Sequence, residues 1–96
     1  MNQEKILSWQ FTSALSILEM LPRLQKAEPS FTWQRRESDY EGTYILGRDD
    51  QGRKMRILVG EVPPCELELY GNFADAEKTK EACLQAIEAA NIQLAD

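Results

Sequence analysis

The sequence predicts one α+β domain in which two helices pack on one face of a four-stranded antiparallel meander. Its length and composition are those of a single globular domain: 96 residues, of which 43% are apolar and 28% charged. Apolar residues recur at helical spacing near both ends of the chain, and between residues 31 and 71 they alternate with polar ones. The expected element order over residues 1–96 is therefore α-β-β-β-β-α.

A first helix is expected over about residues 3–25, because apolar residues there are spaced three or four apart. Pro22 is expected to kink this helix or to end it near Met20, since proline lacks a backbone donor. Residues 5–11 are left open between helix and strand, because their apolar residues also alternate with polar ones. The residues at helical spacing are Leu7, Phe11, Ala14, Leu18 and Leu21.

The turns between the four expected strands suggest how the strands pair. A hairpin loop over residues 49–52 would pair Arg48 with Arg53, which turns Tyr44 and Leu46 toward the core. The loop around Pro63 and Pro64 has a separate consequence for the next pair of strands. It sets Ile57 opposite Leu67, Met55 opposite Leu69 and Arg56 opposite Glu68.

A second helix is expected from Asp75 to about Ala90, with Asn72 or Asp75 capping its first turn. Its inward residues are mostly small, which predicts a close approach to the sheet. They are Ala76, Thr79, Cys83, Ala86, Ile87 and Ala90.

The composition argues against most enzyme classes. There is no histidine, which removes histidine-based acid–base catalysis and most catalytic zinc sites, and no glycine-rich phosphate loop is present. Cys65 and Cys83 fall at predicted core positions, where a thiol is not activated. We therefore expect no catalytic residue, no cofactor and no metal. A histidine-free enzyme using Glu37, Asp39 and Glu41 is the alternative ranked last.

The favoured function is a non-enzymatic protein-interaction or regulatory module, acting through the first helix, the outer face of the sheet, or both. More apolar residues are present than one small sheet can cover, so a protein partner or a homodimer is expected. No signal peptide or membrane-spanning stretch is found, so the cytoplasm is the expected compartment. The predicted contact residues are Trp9, Ile17, Met20, Leu24, Ile45, Leu58 and Tyr70.

Nucleic acid is the second-ranked partner. Its candidate residues are Arg48, Arg53, Lys54 and Arg56 in the hairpin, the only locally basic part of the chain. The net charge of −5 opposes non-specific binding to nucleic acid, and the predicted pairing of Arg56 with Glu68 neutralises part of this set.

Overall fold

The computed structural model describes residues 4–40, 42–59 and 64–91. It confirms an α+β fold with two helices and one antiparallel sheet, and the sheet has five main strands and a sixth of two residues. Glu41 and the loop residue Pro63 lie outside the described residues. The elements are β1 (Lys5–Thr12), α1 (Ile17–Ala27), β2 (Thr32–Ser38), β3 (Gly42–Arg48), β4 (Lys54–Leu58), β5 (Cys65–Tyr70), α2 (Ala76–Ala86) and β6 (Ala90–Asn91). The strand order in the sheet is β2-β3-β4-β5-β1-β6.

Residues 5–12 form a strand, so the prediction of one long first helix is wrong over this stretch. β1 pairs antiparallel with β5, with Leu7 opposite Leu69 and Phe11 opposite Cys65. Phe11 is fully buried in the core. Residues 5–11 were undecided between helix and strand. Their alternation of apolar and polar residues is that of a half-buried strand.

The first helix begins at Ser16, which caps it. The Ser16 hydroxyl accepts a hydrogen bond from the Glu19 backbone N–H (3.3 Å), and the Glu19 carboxylate accepts one from the Ser16 N–H (3.0 Å). The helix continues through Pro22 and ends at Ala27, so the predicted end near Met20 is wrong. Proline removes one hydrogen bond there, but the fully buried Met20 and Leu24 on either side of it hold the helix on the sheet.

The register of β3 on β4 differs by one residue from the prediction. Arg48 pairs with Lys54 rather than Arg53, so Ile45 lies opposite Ile57 and Leu46 opposite Arg56. Ile45 therefore faces the core, whereas Tyr44 and Leu46 face the opposite side of the sheet. The prediction had these side chains on the opposite faces. The predicted register of β4 on β5 is confirmed, including Arg56 opposite Glu68.

The second helix is capped by Asp75, whose carboxylate accepts a hydrogen bond from the Lys78 N–H (3.0 Å). It ends at Ala86, short of the predicted Ala90. Glu88 then adopts a positive φ of 53°, and β6 follows against the end of β1. In the described parts of the chain, no helix is both long and apolar enough to cross a bilayer.

The core lies between the helices and the inner face of the sheet. Both helices contribute to one cluster of buried side chains, and they also contact each other, so they cover the same face. The fully buried members are Phe11, Met20, Leu24, Ile45, Met55, Ile57, Leu67, Leu69, Cys83 and Ile87.

Candidate functional site: the open face of the sheet

The face of the sheet opposite the helices has no covering element among the described residues, and we call it the open face. Side chains alternate between the two faces of a strand, so the register assigns each residue to one of them. Charged and tyrosine side chains from β1 to β5 meet here. The open face includes Lys5, Gln34, Arg36, Tyr44, Leu46, Arg48, Lys54, Arg56, Leu58, Glu66, Glu68 and Tyr70.

Glu68 is the centre of a hydrogen-bond network on the open face. Its side chain is only 4% exposed although no helix covers it. One carboxylate oxygen, Oε1, accepts hydrogen bonds from Arg56 Nε and the Tyr70 hydroxyl (2.9 Å each), and Oε2 accepts one from Lys5 Nζ (3.1 Å). Neighbouring long side chains therefore exclude water from a carboxylate on an uncovered face.

The two carboxylates of β5 have opposite pKa shifts. Burial acts to raise the pKa of Glu68, but hydrogen bonds from Arg56, Glu66, Tyr70 and Lys5 outweigh it and lower the pKa to about 2. A hydrogen bond to Glu68, together with burial, raises the pKa of Glu66. The network therefore keeps Glu68 ionised, and Glu66 accepts a proton more readily than an ordinary glutamate.

The Arg56 guanidinium lies between two tyrosine rings. Its central carbon is 5.6 Å from the ring centroid of Tyr44 and 5.6 Å from that of Tyr70. Lys54 Nζ is 4.5 Å from the Tyr70 centroid. These cation–π contacts hold the two rings in place. Both tyrosines are still only half-buried, so their rings remain accessible at the surface.

Among the residues that the structure describes, three cations of the open face have no carboxylate partner. Within the described ranges, no acidic side chain is close enough to form an ion pair with Arg36, Arg48 or Lys54. Arg36 instead donates a long hydrogen bond to the Gln34 side-chain oxygen (3.5 Å). The open face therefore carries positive charge that the sheet itself does not neutralise.

The four basic residues of the predicted hairpin do not form one group in the structure. Arg53 donates to the Asp49 carboxylate (2.6 Å), and its guanidinium lies 5.5 Å and 5.3 Å from the ring centroids of Phe31 and Phe73. Burial acts to raise the Asp49 pKa, but the hydrogen bonds from Arg53 lower it overall. Arg53 therefore fixes the loop against the end of the core, whereas Arg48, Lys54 and Arg56 belong to the open face.

The predicted partner-contact residues also separate into groups. Met20, Leu24 and Ile45 are fully buried within one chain, so their assignment to a contact surface is corrected. Leu58 and Tyr70 lie on the open face, as expected. Of the helix-side residues, Ile17 is half-buried and Trp9 is 36% exposed.

Two surface features were missed from the sequence. Leu18, one of the apolar residues at helical spacing, is 75% exposed at the start of α1. Lys80 Nζ lies 3.8 Å from the Trp9 ring centroid and pairs with the Glu77 carboxylate (2.7 Å). The Ser16-x-x-Glu19 capping signature was a readable signal for the first, because it fixes where α1 begins.

The outer face of the sheet was predicted as a contact surface, but some of its residues were assigned elsewhere, in part because the predicted β3 register was wrong. Tyr44 had been assigned to the core, and Lys5 to the first helix. Arg36 was not among the predicted contact residues. The signal for β3 was Asp49, whose carboxylate accepts hydrogen bonds from the backbone N–H groups of Gln51 and Arg53.

The two thiols and Glu37 are the remaining candidate reactive groups. Burial raises the pKa of the Cys65 thiol, and it raises that of Cys83 to about 12. Glu37 is exposed and pairs with Arg35 (2.9 Å). Among the residues described, no three potential metal ligands lie together.

No family model matches this chain, and no curated protein or solved structure was found to be significantly similar to it.

Proposed function

We propose that this chain is a non-enzymatic binding module whose contact surface is the open face of the sheet. The observation that carries the proposal is the ordered network around Glu68, which fixes Arg56 and Tyr70 on a face that neither helix covers. Side chains held in place before binding lose less conformational entropy when a partner arrives. A surface built in this way favours recognition over simple solvation.

The chemistry of the chain supports binding rather than catalysis. Both thiols are buried and have raised pKa values, so neither is an activated nucleophile. The lowered pKa of Glu68 keeps it ionised, and three donors already occupy its oxygens. Glu68 therefore orders its neighbours instead of transferring protons. The two free thiols are also typical of a reducing compartment, and the cytoplasm remains the proposed location.

A homodimer remains a second proposal, but the open face is a poor place for it. A two-fold contact there would bring the positive charges of two copies together. The favouring observation for a different surface is Leu18, which is 75% exposed. It borders an open groove of about 480 Å³ lined also by Ile17, Val59 and Arg35. We propose this groove as the contact of any homodimer.

Photo-crosslinking tests which face meets a partner. A photoreactive phenylalanine derivative is placed at Leu58 on the open face or at Leu18 on α1, and each variant is irradiated in the native host. We expect from Leu58 a discrete adduct with another molecule, whereas Leu18 should give at most an adduct between two copies of this chain. Sensitivity of the adduct to protease or to nuclease would identify the class of partner. Adducts only from Leu18, or none from Leu58, would contradict the proposed surface.

A further inference from the structure

We propose that the open face binds single-stranded nucleic acid, with its unpaired cations on phosphates and its tyrosine rings against bases. The inference rests on the proposed function, because it needs the open face to be the contact surface. It goes beyond it by naming the chemistry of the partner: a flexible polyanion with flat aromatic groups.

The charge of the open face is the first step. The face carries five cations and two carboxylates, and Lys5 and Arg56 both bind Glu68. Among the described residues of this face, three cations without a carboxylate partner then remain, together with one further carboxylate, that of Glu66. The helical side is the acidic one, because residues 16–28 and 75–88 hold six acids and four bases. The open face is therefore more positive than the helical side, which suits a polyanion.

The placement of the tyrosines is the second step. In the sheet register, Arg36 lies directly opposite Tyr44, and Lys54 lies directly opposite Tyr70. Each ring therefore has an unpaired cation as its cross-strand neighbour, and Arg56 lies between the two rings. Aromatic rings and guanidinium planes are the surfaces on which unpaired bases stack.

The shape of the face is the third step, and it favours a single strand over a duplex as the partner. Five strands at the usual spacing are roughly 20 Å across, whereas the major groove of a duplex is about 12 Å wide. The sheet is too broad to enter the groove. The β3–β4 hairpin is narrow enough, but Arg53 holds its loop against the core by binding Asp49 and packing on Phe31. A single strand can lie across the face and turn its bases toward it.

An acidic polypeptide is the main competing partner. Its carboxylates would be satisfied by Arg36, Arg48 and Lys54 alone, and it would make no particular use of the rings of Tyr44 and Tyr70. Nucleic acid uses both kinds of group, one for phosphates and one for bases. The alternation of cations and tyrosines therefore favours the single strand.

Fluorescence anisotropy with the full chain tests the inference, using labelled oligodeoxythymidylate, oligouridylate and a duplex of equal length. We expect both single strands to bind more tightly than the duplex. With three phosphate contacts, affinity should fall roughly 20-fold between about 50 and 200 mM salt. No binding of either single strand at low salt, or equal binding of the duplex, would overturn the inference.

Matched variants separate specific contacts from general charge. Arg48→Gln and Lys78→Gln each remove one exposed positive charge, the first on the open face and the second on α2. We expect Arg48→Gln to weaken binding by several-fold and Lys78→Gln to change it by less than about two-fold. Tyr44→Leu should weaken binding by about five-fold or more, because it removes a stacking surface. Equal effects of Arg48→Gln and Lys78→Gln would contradict a site on the open face.

Labelled polyglutamate distinguishes this inference from the broader proposal. If polyglutamate binds, with loss in Arg48→Gln, and the oligonucleotides do not, the partner is an acidic polypeptide and the nucleic-acid inference fails. The open face would remain the contact surface. Failure of the proposed function itself shows instead as crosslinks that avoid Leu58.

Discussion

Arg56 and Glu68 lie directly opposite each other on β4 and β5, and their side chains meet at 2.7 Å on a face that no helix covers. Both are largely withdrawn from water, with side-chain exposures of 19% and 4%. A salt bridge in this position differs from an ordinary surface pair, which contributes little to stability. Removing one partner leaves the other desolvated and unpaired.

Glu68→Gln should therefore lower the free energy of unfolding by about 2–4 kcal/mol. The substitution keeps the shape of the side chain but leaves Arg56 and Lys5 without their carboxylate. Glu66→Gln is the matched control, because Glu66 already has a raised pKa and should cost less than about 1 kcal/mol. Denaturant titration at neutral pH measures both. Equal losses would mean that the network is not centred on Glu68.

The same pair predicts a pH dependence with a definite sign. The pKa of Glu68 is about 2 in the fold, below its ordinary value of 4.5, so the folded state favours the ionised form. The stability it contributes is present above about pH 4.5 and is lost as the pH falls toward 2. The difference in unfolding free energy between the wild type and Glu68→Gln should shrink over this window. A constant difference would show that the carboxylate is not stabilised as an anion.

Gly47→Ala should destabilise the fold by about 1–3 kcal/mol, because the new methyl group has no room. A Cβ at Gly47 would lie 2.7 Å from the Trp33 ring, which is held by a hydrogen bond from its Nε1 to the Glu28 carbonyl (3.2 Å). Arg48→Ala, one residue along the strand and exposed, serves as the control and should change stability by less than about 0.5 kcal/mol. Thermal unfolding followed by tryptophan fluorescence reports both. A neutral Gly47→Ala would place β3 in the other register.

Ser16→Ala should cost about 1 kcal/mol, because it removes the hydroxyl that accepts the Glu19 N–H. The hydrogen bonds with Ser16 lower the pKa of Glu19. The larger cause, the hydrogen bond from the Ser16 backbone N–H, remains in the variant, so nuclear magnetic resonance titration should show this pKa moving only part of the way back to its ordinary value. Ser30→Ala, at an exposed turn position, is the control. Unchanged stability in Ser16→Ala would indicate that α1 begins elsewhere.

The homodimer proposal predicts a concentration-dependent mass in sedimentation experiments. Leu18→Glu should abolish it, because a charge would enter an apolar contact. Leu58→Glu, on the open face, should leave it intact. A wild-type chain that stays monomeric at high micromolar concentration would reject self-association.

The sequence was sufficient for the β4–β5 pairing because the two strands alternate cleanly. A slip of one residue would have set Arg56 against buried Leu69, so the pattern allowed a single register. The same argument failed on β3, where apolar side chains occur on both faces. Leu46 is nearly inaccessible on the open face, whereas Gly47 faces the core under Trp33. Apolar character alone could not orient this strand.

The candidate site was harder to predict than the fold because it depends on every register at once. Its cations come from β1, β2, β3 and β4, and each looks like an ordinary solvated residue in its own segment. Arg36 and Tyr44 become neighbours only when β2 pairs with β3. The pairing of strands is not encoded in the periodicity of any one segment, so a surface assembled by pairing emerges only with the sheet.

The position of β1 in the sheet has a consequence for the order of folding. Both of its hydrogen-bonded neighbours, β5 and β6, come late in the chain, and the Lys5–Glu68 contact joins residues 63 positions apart. During synthesis β1 leaves the ribosome well before β5 exists, whereas the hairpins β2–β3–β4 can close at once. Closing so long a loop is entropically costly, which slows folding. Until β5 is made, the backbone groups of β1 stay unpaired and the apolar side chains of Leu7, Trp9 and Phe11 stay uncovered. The speed of translation therefore sets how long β1 can mispair.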